Sequence, residues 1–218
     1  MTTQYSAGEE LANAITHGLG IVASVAAGAI LIALSALWGG DAWQIVSASV
    51  FVVALILVYT ASTLYHAIPF EGVKAKLKVF DHCAIFVLIA GTYTPFTLVG
   101  LRGPWGWSLF GVIWGLAALG IIFKLFFTGR FRRLSVGIYV LMGWLVVVAI
   151  KPMMEQLSAT TLIWLVAGGI AYTLGTLFYL NRRIPYGHAI WHLFVLGGSI
   201  CHYVAVTTQV LPAVASTS

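Results

Sequence analysis

Charge is what this 218-residue sequence lacks. It carries 11 Lys+Arg and 6 Asp+Glu, so 8% of its residues are charged, against about 25% in an ordinary soluble domain. Apolar residues make up 61%, and mean hydropathy is +1.00. A water-soluble fold of this length has no interior large enough to hide that surface, so a soluble globular protein is excluded. Disorder is excluded too, because it requires low hydrophobicity and high charge. Two cysteines are too few for a secreted disulfide scaffold. The first ten residues hold two Glu and no Lys or Arg, so no cleavable signal peptide is expected. The last apolar run contains no Lys, which excludes a retinal Schiff base. A polytopic membrane protein remains, either a helical bundle or a barrel.

The spacing of the few charges separates these two. Uncharged runs cover 11–40, 42–70, 82–101, 103–123, 134–150, 156–181 and 184–218. A barrel strand needs about 9–11 alternating residues, whereas a spanning helix needs about 20 apolar ones. The runs are long and apolar on every side, and they predict an all-α integral membrane protein. Seven transmembrane helices are expected near 13–38, 43–67, 81–101, 105–127, 134–151, 159–180 and 186–211, the fifth being the shortest. One seven-helix domain over 1–218 follows. Ser6 and Glu9 form a capping-box pattern, which predicts a short interfacial helix at about 7–12 running into the first span.

Basic residues give the orientation. Lys74, Lys76, Lys78, Lys124, Arg130, Arg132, Arg133, Arg182 and Arg183 fall on the side shared with the N-terminus, and only Arg102 and Lys151 fall on the other. The N-terminus is therefore expected in the cytoplasm and the C-terminus outside. The surplus of positive charge is a topology signal and calls for no nucleic-acid partner. Trp38, Trp43, Trp105 and Trp107 fall near the expected outer ends, as an interfacial belt would.

Polar residues inside spans are costly in lipid, so chemistry is sought there. The topology places His66 at the inner end of the second helix and Asp81 and His82 at the start of the third. His188 and His192 then begin the seventh at the same depth. His188 and His192 are four apart, on one helix face, and can grip one metal ion. A third histidine would complete a three-histidine site with one open position, for which zinc is the expected metal. Asp81 would orient a water or take its proton, and Ser62, four residues before His66, would hold that water or a developing oxyanion. The competing account is that these histidines hydrogen-bond between helices. Glu10, Asn13 and His17 share one helix face, either around such a site or as an interfacial polar face. His202, about 15 Å further along than His192, is expected to be a buried packing residue. Cys83 and Cys201 are too far apart in depth to pair. Gly91-Thr-Tyr-Thr-Pro95 is expected to kink the third helix, with threonine hydroxyls meeting freed carbonyls. Gly111-x-x-x-Gly115 is read either as a homo-oligomer face or as close packing within the bundle.

Together these residues resemble the hemolysin III family, the bacterial branch related to adiponectin and progestin receptors. Glu10-x-x-Asn13-x-x-x-His17, Ser62-x-x-x-His66, Asp81 and His188-x-x-x-His192 with His202 carry the resemblance, in that order on seven spans. GTYTPF at 91–96 and RIPYGHAIWH at 183–192 are similar to a bacterial inner-membrane member. The resemblance implies a receptor-like bundle in the bacterial inner membrane and Zn2+ held by His66, His188 and His192. It also implies kinship with alkaline ceramidases, which hydrolyse a lipid amide with the same residue set. The chain departs from the eukaryotic receptors in lacking their long N-terminal region, so signalling by that route is not expected. Three functions compete: a zinc-dependent hydrolase of a lipid amide or ester, a non-enzymatic regulator of membrane lipid homeostasis with structural zinc, and, ranked last, a pore-forming hemolysin. A membrane lipid is the expected substrate or ligand.

Overall fold

The structure is a computed structural model, which describes residues 5–181 and 183–211. Arg182, one of the nine basic residues counted above, lies outside the described residues, as do the chain ends to which that count assigns a side. Seven helical segments are long and apolar enough to cross a membrane. Ala7–Leu37 is α1 and Ala42–Ala67 is α2. Glu71–Pro95 is α3, which passes into a π-helical turn at Phe96–Gly100. Pro104–Phe127 is α4. Arg132–Gly143 and Ile150–Gln156 are α5 and α6, joined by a 3-10 turn at Leu145–Ala149 into a single span. Ala159–Leu180 is α7 and Gly187–Val210 is α8.

The capping box forms: Ser6 Oγ accepts from the Glu9 N–H at 3.2 Å, and Glu9 Oε2 accepts from the Ser6 N–H at 2.9 Å. The expected interfacial helix is not separate, since α1 runs unbroken for 31 residues. That is about 46 Å, longer than a hydrocarbon core of about 30 Å, a surplus that tilt or an overhang takes up. At the other end of the bundle Asp41 caps α2. The Gln44 N–H and Arg102 Nη1, both at 2.9 Å, hold its carboxyl below the usual carboxylate range. Trp43 and Trp107 meet edge to face beside it.

Two spans differ from the sequence reading. Asp81 does not open α3; the helix starts ten residues earlier, at Glu71. Lys, Ala and Leu favour helix whether or not lipid surrounds them, so the charged turns 71–80 prolong the helix beyond its apolar run. A gap in charge marks the lipid-facing part of a helix rather than its end. The fifth span is 25 residues long and is broken at Gly143. Tyr93 fills the break: its hydroxyl lies 2.9 Å from the Met142 and Gly143 carbonyls and accepts the Val146 N–H at 2.8 Å. Backbone freed in hydrocarbon must find such a partner. At Pro95 the outcome also departs from expectation. Thr92 and Thr94 bond the Leu88 and Ala90 carbonyls, not that of Gly91, which Pro95 leaves without its helical donor. The π turn follows, closed by the Leu101 N–H on the Phe96 carbonyl at 2.8 Å.

Large apolar side chains such as Leu19, Leu119, Phe126 and Leu141 face outward, the arrangement lipid requires and water forbids. Inside, α2 and α3 are the most enclosed spans, with Phe51, Tyr59 and Phe86 fully buried. The spans α1, α2 and α8 pack together, α7 lies on α8, and α4 lies on α3. Close packing replaces the hydrophobic drive that lipid removes. Gly120 of α4 shows this, because a Cβ there would enter the Phe86 ring of α3. Gly120→Ala should therefore cost about 1–3 kcal/mol, read as a lower unfolding midpoint in detergent; an unchanged midpoint would mean that the seam relaxes freely. Gly111 and Gly115, by contrast, have open space over them and face out of the bundle, so packing within the bundle does not explain them. Both cysteines are free.

Candidate metal centre

Three elements end near one another and carry the site. Helix α2 finishes one residue after His66. Helix α8 starts at Gly187 after Tyr186, whose left-handed backbone (φ 55°) turns the chain. That turn brings His188 and His192 into the bundle in the first two turns of α8. Helix α1 passes beside both with its polar face inward: Asn13 is 0% exposed and His17 2%, while Leu11, Ile15 and Leu19 on the other face point out.

One ligand nitrogen from each of His66, His188 and His192 lies within 4.8 Å of the other two. His66 Nε2 and His188 Nε2 are 3.2 Å apart. The outer nitrogens show which protonation this geometry wants. His66 Nδ1 is 2.6 Å from Glu10 Oε2, and His192 Nδ1 is 3.2 Å from the Asn13 carbonyl and 3.1 Å from Thr16 Oγ1. A carboxylate and a carbonyl only accept, so both Nδ1 atoms carry the proton and both Nε2 atoms are bare. His188 Nδ1 meets the Tyr5 hydroxyl at 3.1 Å. His192 Nε2 is buried with no hydrogen-bond partner among the described residues. His188 Nε2 faces the bare His66 Nε2 at 3.2 Å, where either the His188 proton or a cation bridges the pair. The orphaned Nε2 and the clamped Nδ1 atoms therefore fit a metal ion, with imidazoles oriented from behind as metal-ligating histidines usually are.

Glu10 also pairs with Lys74 Nζ at 2.9 Å, and that lysine donates to the Tyr65 carbonyl at 2.8 Å. The Asn13 side chain is 3.4 Å from His66 Nδ1. His17 stacks on His192 with ring centroids 3.5 Å apart, and neither of its nitrogens has a partner among the described residues. The face Glu10, Asn13, His17 is thus turned toward the imidazoles. Ser62, one turn before His66, is 1% exposed, and its hydroxyl has no partner among the described residues. Asp81 is buried. It is not one of the three clustered ligands, and its ion contact is with His82 Nδ1 at 3.5 Å. The same His82 Nδ1 donates to the Lys78 carbonyl at 2.8 Å. His202 stands apart, against the Leu165 carbonyl at 3.2 Å.

Sequence reasoning missed Tyr5 and Thr16. Thr16 adjoins His17, but its one-residue offset from the polar face hid it. Tyr5 precedes the helix cap, where no periodicity points.

Seven apolar spans with three histidines gathered near one end of the bundle define a multi-pass membrane protein with a candidate intramembrane metal site. Residues 5–203 match the family described as Haemolysin-III related. The chain is 50% identical to Hemolysin-3 of Bacillus cereus, over 94% of this chain and 93% of that one. It is 49% identical to the Hemolysin-3 homolog of Bacillus subtilis, over 91% and 92%. The human Monocyte to macrophage differentiation factor is 29% identical over 91% of this chain and 83% of its own. The chain belongs to the haemolysin-III-related family.

The Glu10–His66 pair makes a direct prediction. Glu10→Gln should weaken metal binding by about 10–100-fold, measured by competition with a chelator of known affinity. An unchanged affinity would show that the carboxylate serves only Lys74.

Proposed function

We propose that this protein is a zinc-dependent hydrolase of a lipid amide or ester bond in the bacterial inner membrane. The observation that carries the reading is the convergence of three histidine nitrogens, with the buried Ser62 one turn before His66 and the buried Asp81 on the adjoining α3. Three neutral imidazoles leave a four-coordinate zinc one open position. Bound there, zinc would supply Lewis acidity and bring the pKa of a coordinated water down to about 7. The protein's own groups do the rest. Asp81 accepts the water's proton on its carboxylate, and Ser62 donates its hydroxyl to the oxygen that gains charge at the scissile carbonyl. Glu10, Asn13 and Tyr5 hold the imidazoles in place. The burial of His66 and His192 keeps bulk water away, which strengthens each of these interactions.

The basic-residue count supports a cytoplasmic N-terminus, which puts the site in the inner leaflet, within reach of a lipid head group entering sideways. A reporter fused before Met1 should then score as cytoplasmic; an external score would move the site to the other leaflet. One observation favours a second reading, a regulator with structural zinc. Tyr5 lies over the site, its ring 5.0 Å from His188 and 5.9 Å from His66. Incubating the zinc-loaded protein with extracted membrane lipids, followed by mass spectrometry, separates the two. Released fatty acid supports the hydrolase, and an unchanged lipid profile supports the regulator.

A further inference from the structure

Positive charge gathers at one corner of the bundle, where α3, the α4–α5 turn and α7 meet. The turn carries Arg130, Arg132 and Arg133 within six residues, 128–133. Gly129 and Phe131 lie in the left-handed region, at φ 83° and 53°, and reverse the chain. Lys78 of α3 reaches this turn, since a Cβ on Gly129 would stand 3.7 Å from its Nζ. Arg132 lays its guanidinium over the Tyr179 ring of α7, 4.2 Å from the centroid. Arg130 and Arg133 are exposed.

Behind them is a buried cation. Lys124, in the last turn of α4, is 1% exposed. It donates to Ser135 Oγ, and Ser135 donates in turn to the Phe131 carbonyl at 3.1 Å. The Phe123 and Tyr139 rings lie 5.6 and 5.9 Å from its Nζ. No ion pair among the described residues involves Lys124, Arg130, Arg132 or Arg133. Keeping loops on one side of a membrane requires basic residues in them. It requires neither a buried lysine nor an arginine laid flat on a ring. A buried ammonium without a carboxylate is costly, and an anion seated at the turn would offset that cost.

The surroundings say which anion fits. Phe126, Phe127 and Phe131 are exposed around the same turn, and such rings prefer acyl chains to water. Cations edged by apolar rings suit a phosphate that carries acyl chains, and basic pockets at helix ends bind such head groups. We propose that Lys78, Arg130, Arg132 and Arg133, backed by the buried Lys124, hold the phosphate head group of an anionic phospholipid at the α4–α5 turn. Arg132, stacked on Tyr179, presents the edge of its guanidinium, which matches two phosphate oxygens with parallel N–H bonds. The start of α5 adds to the attraction. Phe131 supplies no side-chain cap and the first turn has no acidic residue, so the helix dipole there is uncompensated. Tyr179 also lies 5.6 Å from His188, centroid to centroid, which puts this corner one ring away from the metal centre. The head-group site stands whether or not the protein hydrolyses lipid.

The test uses the full chain purified in a non-ionic detergent and titrated with phosphatidylglycerol or phosphatidylcholine of the same acyl chains, with bound lipid counted by native mass spectrometry. The wild type should hold phosphatidylglycerol more tightly than phosphatidylcholine. Arg132→Gln and Arg133→Gln should each lower the affinity for phosphatidylglycerol about fivefold, the worth of one basic residue near an anionic surface. Arg102→Gln removes the same charge at the other end of the bundle and should leave the affinity unchanged. Arg133→Gln spares the contact with Tyr179, so it decides the matter should Arg132→Gln fail to fold. Equal binding of the two lipids by the wild type would overturn the proposal, as would an equal loss in Arg102→Gln, which would mark diffuse attraction to net charge. Inorganic phosphate at the lipid's concentration should not displace it; displacement would make the corner a site for a free anion and sink the lipid assignment.

Discussion

His192→Ala should leave the purified protein almost free of metal, from about one zinc per chain in the wild type. Structural zinc sites bind with about 10–16 kcal/mol. A third of the lower figure is about 3 kcal/mol, more than a hundredfold in affinity. The loss is compounded because His192 also holds the Asn13 carbonyl and stacks on His17, so its removal loosens the helix that carries Glu10. His188→Ala should behave alike. His202→Ala, on the same helix but outside the cluster, should keep its zinc. Elemental analysis after gel filtration decides the matter, and full zinc content in both His188→Ala and His192→Ala would falsify the metal assignment.

Asp81→Asn should separate binding from turnover. The amide keeps the shape of the carboxylate but cannot accept a proton, and the three imidazoles remain in place. Zinc content should be unchanged while lipid hydrolysis falls by about 10²–10⁴-fold, the usual contribution of a positioned base. A fall in zinc would make Asp81 a ligand rather than a base. Full activity in the variant would remove Asp81 from the chemistry and leave Ser62 as the remaining group assigned to it.

The spans and the three histidines were readable because each rests on a strong constraint. Hydrocarbon tolerates few charges, so gaps between charges marked the helices. Two imidazoles four residues apart share a face in any α-helix, so His188 and His192 pointed together whatever the tertiary structure. Depth then brought in His66. What the sequence hid depends on tertiary contact. The early start of α3 was masked because its charged turns are helical outside the lipid. The break in the fifth span was masked because its repair comes from Tyr93, about fifty residues away. Tyr93 belongs to the GTYTPF stretch, where the proline drew attention and the tyrosine carries the contact. Tyr5 and Thr16 act through single hydrogen bonds to Nδ1 atoms, and no periodicity announces such a bond.

The histidine cluster draws one ligand from α2 and two from α8, and the groups that clamp their outer nitrogens all come from residues 5–16. During synthesis these parts emerge at opposite times. A nascent chain halted after α7 holds Glu10, Asn13 and His66 but a single ligand, too few to retain an ion. The site closes only when the seventh span has inserted and come round to lie against the first. Metal retention therefore works as a clasp on the finished bundle. A pulse-labelled chain should become resistant to protease at the moment it begins to hold zinc, and a chain that inserts α8 the wrong way round would never fasten.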